Sequence, residues 1–276
     1  MPVQVLEESY DKITVVFEGF PRVYVNSIRR AAMSLVPVMA IDDVVILENT
    51  SSFYDEVIAH RLGLIPLKTP PEKYLLPSEC DCKTALGCPK CRVLFVLDAE
   101  ATDKVREVLS AELVSEDEEV KPVSPNIPIL KLAPGQKIKL EAYAKLGRGK
   151  SHSKWQATSA AVLKSYPVIT LNDSCNNCGA CISVCTKNVF SMHDGKLRVD
   201  HPLDCSLCFE CLKSCQAEPK GISVNEDEDK FILTIESSGG MAAKEILVQA
   251  IKEIIGLVDG IIDKFSGEVL TVEKEK

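Results

Sequence analysis

The sequence predicts an α+β protein with a separate cysteine-rich segment. Two segments with alternating apolar residues, Lys12–Gly19 and Lys230–Glu236, are typical of half-buried strands. A long segment with apolar residues three and four apart, Ala243–Phe265, is typical of an amphipathic helix. The twelve cysteines all fall in three groups of four, at residues 80–91, 175–185 and 205–215. The first two observations indicate packed α+β domains, and the third indicates that metal–thiolate bonds organise part of the chain.

The order of helices and strands is predicted from apolar periodicity and from the residues that start or stop a helix. The first strand is followed by a helix with Asn26 as its N-cap and Pro37 as its stop, and a second domain begins near residue 41. Within that domain we expect a helix ending at Gly63, and an irregular acidic connection between two later strands. The segments concerned are strand Val44–Leu47, helix Asp55–Leu64, strand Val93–Leu97, connection Ser115–Pro128 and strand Lys137–Tyr143.

Composition and charge exclude several classes of protein. The chain has 276 residues, 46% hydrophobic and 26% charged, which suits two or three domains with packed cores. Its first residues do not resemble a signal peptide, and no apolar run approaches the ~20 residues needed to span a bilayer. The formal net charge of −8 opposes binding to a phosphate backbone. We therefore expect a cytoplasmic protein that contacts neither membrane nor nucleic acid directly.

The two later cysteine groups share the spacing C-x2-C-x2-C-x3-C. Bacterial-type ferredoxins with two clusters have this spacing, and in them three thiolates bind one cluster while the fourth binds the other. The pattern predicts a ferredoxin-like module with two [4Fe–4S] clusters. The first cluster is expected at Cys175, Cys178, Cys181 and Cys215, and the second at Cys205, Cys208, Cys211 and Cys185.

Two details qualify the ferredoxin pattern. Thr186 and Gln216 stand where a proline normally follows the fourth cysteine, which affects the turn but supplies no ligand. Between the two groups, Asp194-Gly195 predicts a hairpin with a type I′ turn, because both central residues of that turn need a positive φ.

The first cysteine group has a different spacing, C-x-C-x5-C-x2-C. Four thiolates on a short proline-flanked loop are the material of a closed tetrahedral zinc site, which would be structural. A rubredoxin-like iron site and a thiol cluster without metal are the alternatives. The residues are Cys80, Cys82, Cys88 and Cys91.

The long terminal helix carries more apolar surface than one core requires. A heptad-like seam is accompanied by a second apolar flank, so the stripe is wider than the ~100° that one core uses. We expect the helix to pack on its own sheet and also on a partner. The seam consists of Leu247, Ile251, Ile254, Val258 and Ile261, extended by Phe265.

No catalytic motif is recognisable, and none of the four histidines lies beside a candidate nucleophile or acid. The main hypothesis is therefore a structural and interaction protein. The eight-cysteine segment alone would also suit an electron-transfer or redox-sensing protein. Most of the chain lies outside that segment, which favours the first hypothesis.

Three stretches resemble the family of RNA polymerase assembly subunits, which includes the archaeal D-type subunits, the third-largest subunit of eukaryotic RNA polymerase II and the amino-terminal domain of bacterial alpha. The resemblance covers essentially the whole chain, and a ferredoxin-like insertion is a feature of many archaeal members of this family. The stretches are Val25–Pro37, Asp55–Leu67 and Gly147–Trp155.

The resemblance implies an architecture and a set of partners. Residues 1–40 and 226–276 would form a discontinuous dimerisation domain, residues 41–170 a mostly β second domain, and residues 171–225 the cluster module. The terminal helix would pair with the small subunit L. The heterodimer would then bind the large catalytic subunits and the small subunits N and P, with Arg29 and Arg30 towards the second-largest subunit.

Overall fold

The computed structural model describes residues 2–82, 84 and 86–272, which form mixed α and β structure in two compact units. The first unit contains residues 2–6, Thr14–Asn26 and Val162–Thr234. The second contains Glu7–Ile13, Ser27–Ala161 and residues 235–272. These units are defined by how compactly the chain packs, and they do not show which parts fold independently. The predicted domain limits therefore stay predictions. Within the described ranges, no helix is long and apolar enough to cross a membrane.

The helices and strands are numbered in chain order. The helices are α1 (Arg22–Ser34), α2 (Asp55–Gly63), α3 (Ala180–Val184), α4 (Glu210–Ser214) and α5 (Ala243–Val272). The strands are β1 (Val3–Glu8), β2 (Lys12–Glu18), β3 (Pro37–Asn49), β4 (Arg92–Glu100), β5 (Arg106–Leu109), β6 (Val114–Ser115), β7 (Pro128–Leu132), β8 (Lys137–Arg148), β9 (Thr158–Leu171), β10 (Phe190–His193), β11 (Lys196–Val199) and β12 (Ile222–Ser237).

The first unit contains most of a four-stranded sheet with the order β1-β2-β12-β9. β2 and β12 confirm the two alternating segments, and their inward residues Val15, Phe17 and Leu233 are buried. The edge strands β1 and β9 were not predicted. β1 is exposed along its whole length, and β9 contains Pro167, which an edge strand tolerates because its outer backbone groups form no ladder hydrogen bonds.

The second unit is built on the sheet β3-β8-β4-β6, with a separate pair β5-β7. β3 and β4 both pair antiparallel with β8. Helix α2 confirms the predicted helix at this position, and its apolar residues Ile58 and Leu62 are fully buried. They join a core formed with Phe95, Leu97 and Leu140 from the sheet. This core is large enough to stabilise the loops that leave it.

Helix α1 begins five residues earlier than predicted. The pattern favoured Asn26 as the N-cap, whereas the helix starts at Arg22 directly after Pro21. The carbonyl of Pro21 accepts the N–H of Tyr24 at 2.9 Å, so the first turn forms despite two β-branched valines. The predicted stop is confirmed, because the helix ends at Ser34 and β3 begins at Pro37. That strand is longer than the predicted Val44–Leu47 and runs through the expected domain boundary near residue 41.

Helix α5 is longer than predicted and unevenly buried. It extends over 30 residues, which corresponds to about 45 Å. In its first two turns Ala243, Ile246 and Ala250 are fully buried. From residue 255 to residue 266 every residue is exposed. Residues 255–266 therefore carry apolar side chains that the described parts of this chain do not cover.

Candidate metal centres and partner surface

The four thiols of the loop at residues 80–91 converge on one point. All four Sγ atoms lie within 4.8 Å of one another. The Sγ atoms of Cys80 and Cys88 are 3.7 Å apart, those of Cys82 and Cys91 are 3.7 Å apart, and those of Cys88 and Cys91 are 3.9 Å apart. Zn–S bonds of about 2.3 Å in a tetrahedron place the sulfurs about 3.8 Å apart. The loop therefore fits one tetrahedral ion, and the distances suit zinc and thiolate-bound iron equally.

Backbone geometry explains how a short loop brings these thiols together. Gly87 adopts a φ of +83°, and a Cβ at that position would lie only 3.1 Å from Cys91 Sγ. The chain then turns so that the N–H of Cys88 donates to the same sulfur at 3.2 Å. Hydrogen bonds that Thr84 donates from its backbone and side chain help to lower the pKa of Cys82 to about 6, whereas burial raises the pKa of Cys91. The loop thus supplies one thiolate readily, and a cation would displace the remaining protons.

The two later cysteine groups adopt the same backbone conformation twice. In each group the residue before the second cysteine and the residue after it have a positive φ, and a five-residue helix follows. The four positions are Asn177 and Gly179 in the first group and Leu207 and Phe209 in the second. Asparagine and glycine accept this conformation easily, whereas leucine and phenylalanine are strained in it. The internal repeat of the sequence is therefore also a repeat in structure.

The predicted hairpin between the groups is confirmed. Strands β10 and β11 pair antiparallel, with His193 opposite Lys196. The two residues between them, Asp194 and Gly195, have φ values of 48° and 73°, as a type I′ turn requires.

Each later group closes around a cavity with a cysteine from the other group. One small cavity is lined by Cys175, Cys178, Cys181 and Cys215. A second small cavity is lined by Cys185, Cys205, Cys208 and Cys211. The structure therefore brings together the two sets of four that the spacing predicts, and what binds in the cavities stays a prediction.

The spacing of the thiols differs between the loop and the later groups. Among the described residues, only the thiols of the loop at 80–91 form a group of three or more metal-ligating side chains within 4.8 Å of one another. The eight later thiols are more widely spaced, although they line common cavities. A polynuclear core needs this wider spacing, since each thiolate binds a different metal atom.

Hydrogen bonds and burial give the later sulfurs distinct environments. Backbone N–H groups of Val189, Leu207 and Gly221 donate to the sulfurs of Cys185, Cys205 and Cys215, each at 3.4 Å. The last of these bonds lowers the pKa of the Cys215 thiol. Burial raises the pKa of Cys181 to about 11 and raises that of Cys211 as well. Such N–H···S bonds are one of the means by which proteins tune iron–sulfur centres.

The predicted interface residues fall into three environments. Leu247 is buried at the base of α5, Ile254 is half-buried, and Ile251 lies at the margin with 36% exposure. Val258 and Ile261 are 49% and 55% exposed. Periodicity placed all five in one seam, and the structure divides that seam into a covered base and an open tail.

The arginine pair of α1 faces a surface groove in the second unit. Arg29, Arg30 and Lys150 line it together with the apolar side chains of Ile254 and Leu257. The Arg29 side chain donates to the carbonyl of Ala161 at 3.4 Å. The groove is thus cationic on one side and apolar on the α5 side.

The stretch Gly147–Trp155 has a structural explanation. A Cβ at position 147 would lie 2.3 Å from the Trp155 ring, so glycine is required where the indole packs. The Trp155 Nε1 donates to the carbonyl of Lys145 at 3.1 Å, and the Lys154 ammonium binds Asp42 at 2.6 Å. Arg148 reaches Glu253 of α5 at 2.8 Å. This stretch therefore fixes one wall beside the helix.

One residue of interest was missed by sequence reasoning. Lys164 in β9 is half-buried, and its ammonium donates to the carbonyl of Leu203, two residues before Cys205. A single lysine in a strand carries no local signal, because only the tertiary structure brings it to the cysteine segment.

Comparison with known proteins identifies the class first. The model of the RNA polymerase Rpb3/RpoA insert domain matches residues 39–171, the part of the chain that contains α2, the four-thiol loop and the second unit's sheet. Residues 39–171 thus form an insert domain of the class found in RNA polymerase subunits.

Full-length relatives narrow the assignment. The DNA-directed RNA polymerase subunit Rpo3 of Methanosphaera stadtmanae is 37% identical over 266 residues, covering 95% of this chain and 98% of the relative. The Archaeoglobus fulgidus subunit is 41% identical, covering 91% and 92%. The Pyrobaculum calidifontis subunit is 37% identical, covering 96% of each. The chain belongs to the family of archaeal DNA-directed RNA polymerase subunit Rpo3, which confirms the resemblance to the archaeal D-type subunits.

Proposed function

We propose that this chain is the assembly subunit of an archaeal DNA-directed RNA polymerase and that it forms a heterodimer with the small subunit L through the tail of α5. The observation that carries the proposal is the exposure of that tail. Six large apolar residues lie there in a continuous stretch, each between 49% and 66% exposed: Ile255, Leu257, Val258, Ile261, Ile262 and Phe265. A contiguous apolar surface of this kind marks an interface.

The first turns of α5 pack within this chain, and its tail is available to a partner. Residues of the first turns, such as Ile246 and Ala250, are already buried within this chain. The apolar residues of the tail continue the same face of the helix and make its apolar surface wider. Transfer of each large apolar side chain out of water contributes about 1.5–3 kcal/mol, so covering this tail supplies enough free energy for a stable heterodimer.

Further partners follow from family membership. The heterodimer would bind the large catalytic subunits and the small subunits N and P, and so start assembly for transcription in the cytoplasm. Arg29 and Arg30 would dock on the second-largest subunit at the groove that they line. Planar guanidinium groups suit this role, because they bind carboxylates and backbone carbonyls through several hydrogen bonds.

A substitution in the tail tests the heterodimer. Ile261→Asp places an unpaired carboxylate at the interface, where loss of apolar burial and desolvation of the charge act together. Affinity for co-expressed subunit L should fall on the order of a thousandfold. Ile261 is preferred to Ile254, because Ile254 is half-buried beside α1 and its substitution would also disturb this chain.

The matched control introduces the same aspartate on the polar side of the same helix. A Cβ at Gly256 would meet nothing within 4 Å, so Gly256→Asp adds the charge without a clash. This variant should bind L as the unmutated chain does, measured by isothermal titration or co-purification. If both variants bound L as tightly as the unmutated chain, with unchanged circular dichroism, the assignment of the α5 tail as the L interface would be refuted.

The cysteines are proposed to bind two [4Fe–4S] clusters and one zinc ion. The first cluster would use Cys175, Cys178, Cys181 and Cys215, the second Cys205, Cys208, Cys211 and Cys185, and zinc the four thiols of residues 80–91. The support is the two four-thiol cavities and the tetrahedral sulfur distances. The anaerobically purified chain should be brown, with about eight iron, about eight sulfide and about one zinc per chain. About four iron would leave one cluster assignment without support.

The second candidate function is ferredoxin-like electron transfer or redox sensing. The observation that favours it is the exposure of Cys178 and Cys208, which would bring one edge of each cluster to the surface. Retention of L binding after the clusters are removed would separate this function from assembly. The assembly function is preferred, since residues 1–170 and α5 lie outside the cluster module.

A further inference from the structure

We propose that the positive charge of Lys164 raises the reduction potential of the second cluster, the one expected at Cys185, Cys205, Cys208 and Cys211, above that of the first. The inference rests on the proposed cluster binding and adds to it an internal order, in which the second site accepts an electron before the first. The groups that carry it are on β9 and in the turn that precedes Cys205.

Lys164 reaches the second site from outside the cysteine segment. Its ammonium donates to the carbonyl of Leu203 in the single turn Pro202–Asp204, which leads directly into the buried Cys205. Burial is the main influence on the lysine and lowers its pKa, while the negative charges of Cys205 and Asp204 act in the opposite direction. The amine is thus close enough to this ligand for their charges to interact.

The ammonium of Lys164 has a carbonyl as its partner and no direct ion pair. Within the ranges that the structure describes, no carboxylate oxygen lies within 4.0 Å of its Nζ. Its charge therefore interacts with the thiolates and the cluster as well as with the neighbouring Asp204. A reduced cluster carries one negative charge more than the oxidised cluster, so a nearby cation stabilises the reduced state and raises the potential.

The other charged groups near this site are in water. Lys187 and Glu210 line the cavity and Asp204 precedes Cys205, and all three are exposed. Glu210 is also paired with Lys213 at 2.6 Å. Solvent and salt screen such groups much more than a half-buried one. Lys164 should therefore dominate the electrostatic difference at the second site.

The lysine that contacts the first site is exposed. Lys220 donates to the carbonyl of Cys215 at 2.5 Å, but its residue is exposed. Backbone N–H groups donate to ligands of both sites, Gly221 at the first and Val189 and Leu207 at the second. Because the N–H groups of Ala217 and Ile222 also act on Cys215 of the first site, these bonds do not set the order, and the proposal rests on the charge of the lysine.

The test is a reductive titration of the anaerobically purified full chain, followed by electron paramagnetic resonance. Dithionite donates one electron to each cluster, and no proton is transferred. The Cys205→Ser variant, which retains only the first cluster, identifies which signal belongs to which site. In the unmutated chain the second cluster should be reduced first.

Lys164→Gln retains a hydrogen-bond donor for Leu203 but removes the charge. It should shift the reduction equilibrium of the second cluster tenfold towards the oxidised form, which is about 59 mV, and leave the first cluster unchanged. Lys164→Arg, which keeps the charge, should shift it less than twofold. The matched control is Lys187→Gln, which removes an exposed charge that lines the cavity itself and should also shift the equilibrium less than twofold.

Three outcomes overturn the proposal. The first is an unchanged potential of the second cluster in Lys164→Gln at full iron content. The second is an equal shift in Lys164→Gln and Lys164→Arg, which would mean that the lysine acts through its hydrogen bond and not through its charge. The third is a tenfold shift in Lys164→Arg with iron retained, a result that remains informative if Lys164→Gln loses its cluster. A colourless unmutated chain would instead overturn cluster binding itself, and iron analysis of each variant separates that failure from the others.

Discussion

The loop at residues 80–91 and the segment at residues 172–221 both concentrate thiols, but they depend on the rest of the chain in different ways. The loop leads through Cys91 into β4, whose Val93, Phe95 and Leu97 are fully buried in a large apolar core. The core around the later segment is small and includes three cysteines, Cys181, Cys205 and Cys211. A metal at the loop would therefore stabilise a structure that already has a core, whereas clusters in the segment would replace part of a core.

The largest effect should follow from removal of a ligand in the later segment. Cys205→Ser should lower the iron content from about eight to about four and destabilise the segment by several kcal/mol, because cluster binding and folding are coupled there. Hydrogen exchange over residues 172–221 should accelerate, while subunit L still binds. Loss of L binding in this variant would contradict the independence of the two regions.

The same substitution in the loop should have a smaller effect. Cys91→Ser also replaces a buried thiol, but the surrounding core is retained. Zinc should be lost, iron should remain near its full content, and the free energy of unfolding should fall on the order of 2 kcal/mol. Metal analysis with thermal unfolding measures both quantities. Unfolding of residues 92–148 along with zinc loss would remove the distinction between the regions.

An acidic contact beside the loop should make the stability of the second unit depend on pH. Burial alone would raise the pKa of Asp117, but hydrogen bonds from Lys73 and Tyr74 lower it to about 2. The folded-state pKa is depressed, so its stabilisation is present above the ordinary value of 3.8 and is lost as the pH falls towards 2. Asp117→Asn should therefore cost about 1–2 kcal/mol at neutral pH and little near pH 2, measured by denaturant unfolding.

The smallest effect concerns the difference between the two cysteine repeats. Phe209 adopts a φ of 62° at the position where the first repeat has Gly179. Phe209→Asn should relieve strain and stabilise the segment by about 0.5–1 kcal/mol, because asparagine tolerates this conformation better than phenylalanine. Slower loss of iron to a chelator would be the readout. Gly195→Ala, where a Cβ meets nothing within 4 Å but φ is +73°, should accelerate that loss and is the opposing control.

Sequence reasoning succeeded where local chemistry decides the structure. The Asp194-Gly195 turn, the helix at Asp55 and the stop at Pro37 each depend on a few adjacent residues, and all three are confirmed. It failed where tertiary context decides. β9 was missed, since Pro167 argues against a strand unless that strand is known to lie at a sheet edge.

The candidate sites show the same division. Cysteine spacing was sufficient to group the thiols that the structure brings together, because short loops restrict which ligands can meet. Periodicity described the apolar face of α5, but could not show that Leu247 is buried while Val258 and Ile261 are exposed. The position of Lys164 could not be predicted from the sequence, because it approaches Leu203 only after β9 and the cysteine segment have folded.

The two ends of the cysteine segment meet at its base. β9 ends at Leu171 and β12 begins at Ile222, and these strands are neighbours in the sheet. The Asn172 N–H donates to the carbonyl of Gly221 at 2.9 Å, and its side chain donates to that of Lys220 at 3.0 Å. The segment is therefore a long loop between two neighbouring strands, and its two ends lie next to each other. A short turn in place of residues 173–220 would leave Asn172 and Gly221 at the ends of the two strands, so a lineage could gain or lose the whole cysteine segment in one event while the rest of the chain stayed the same.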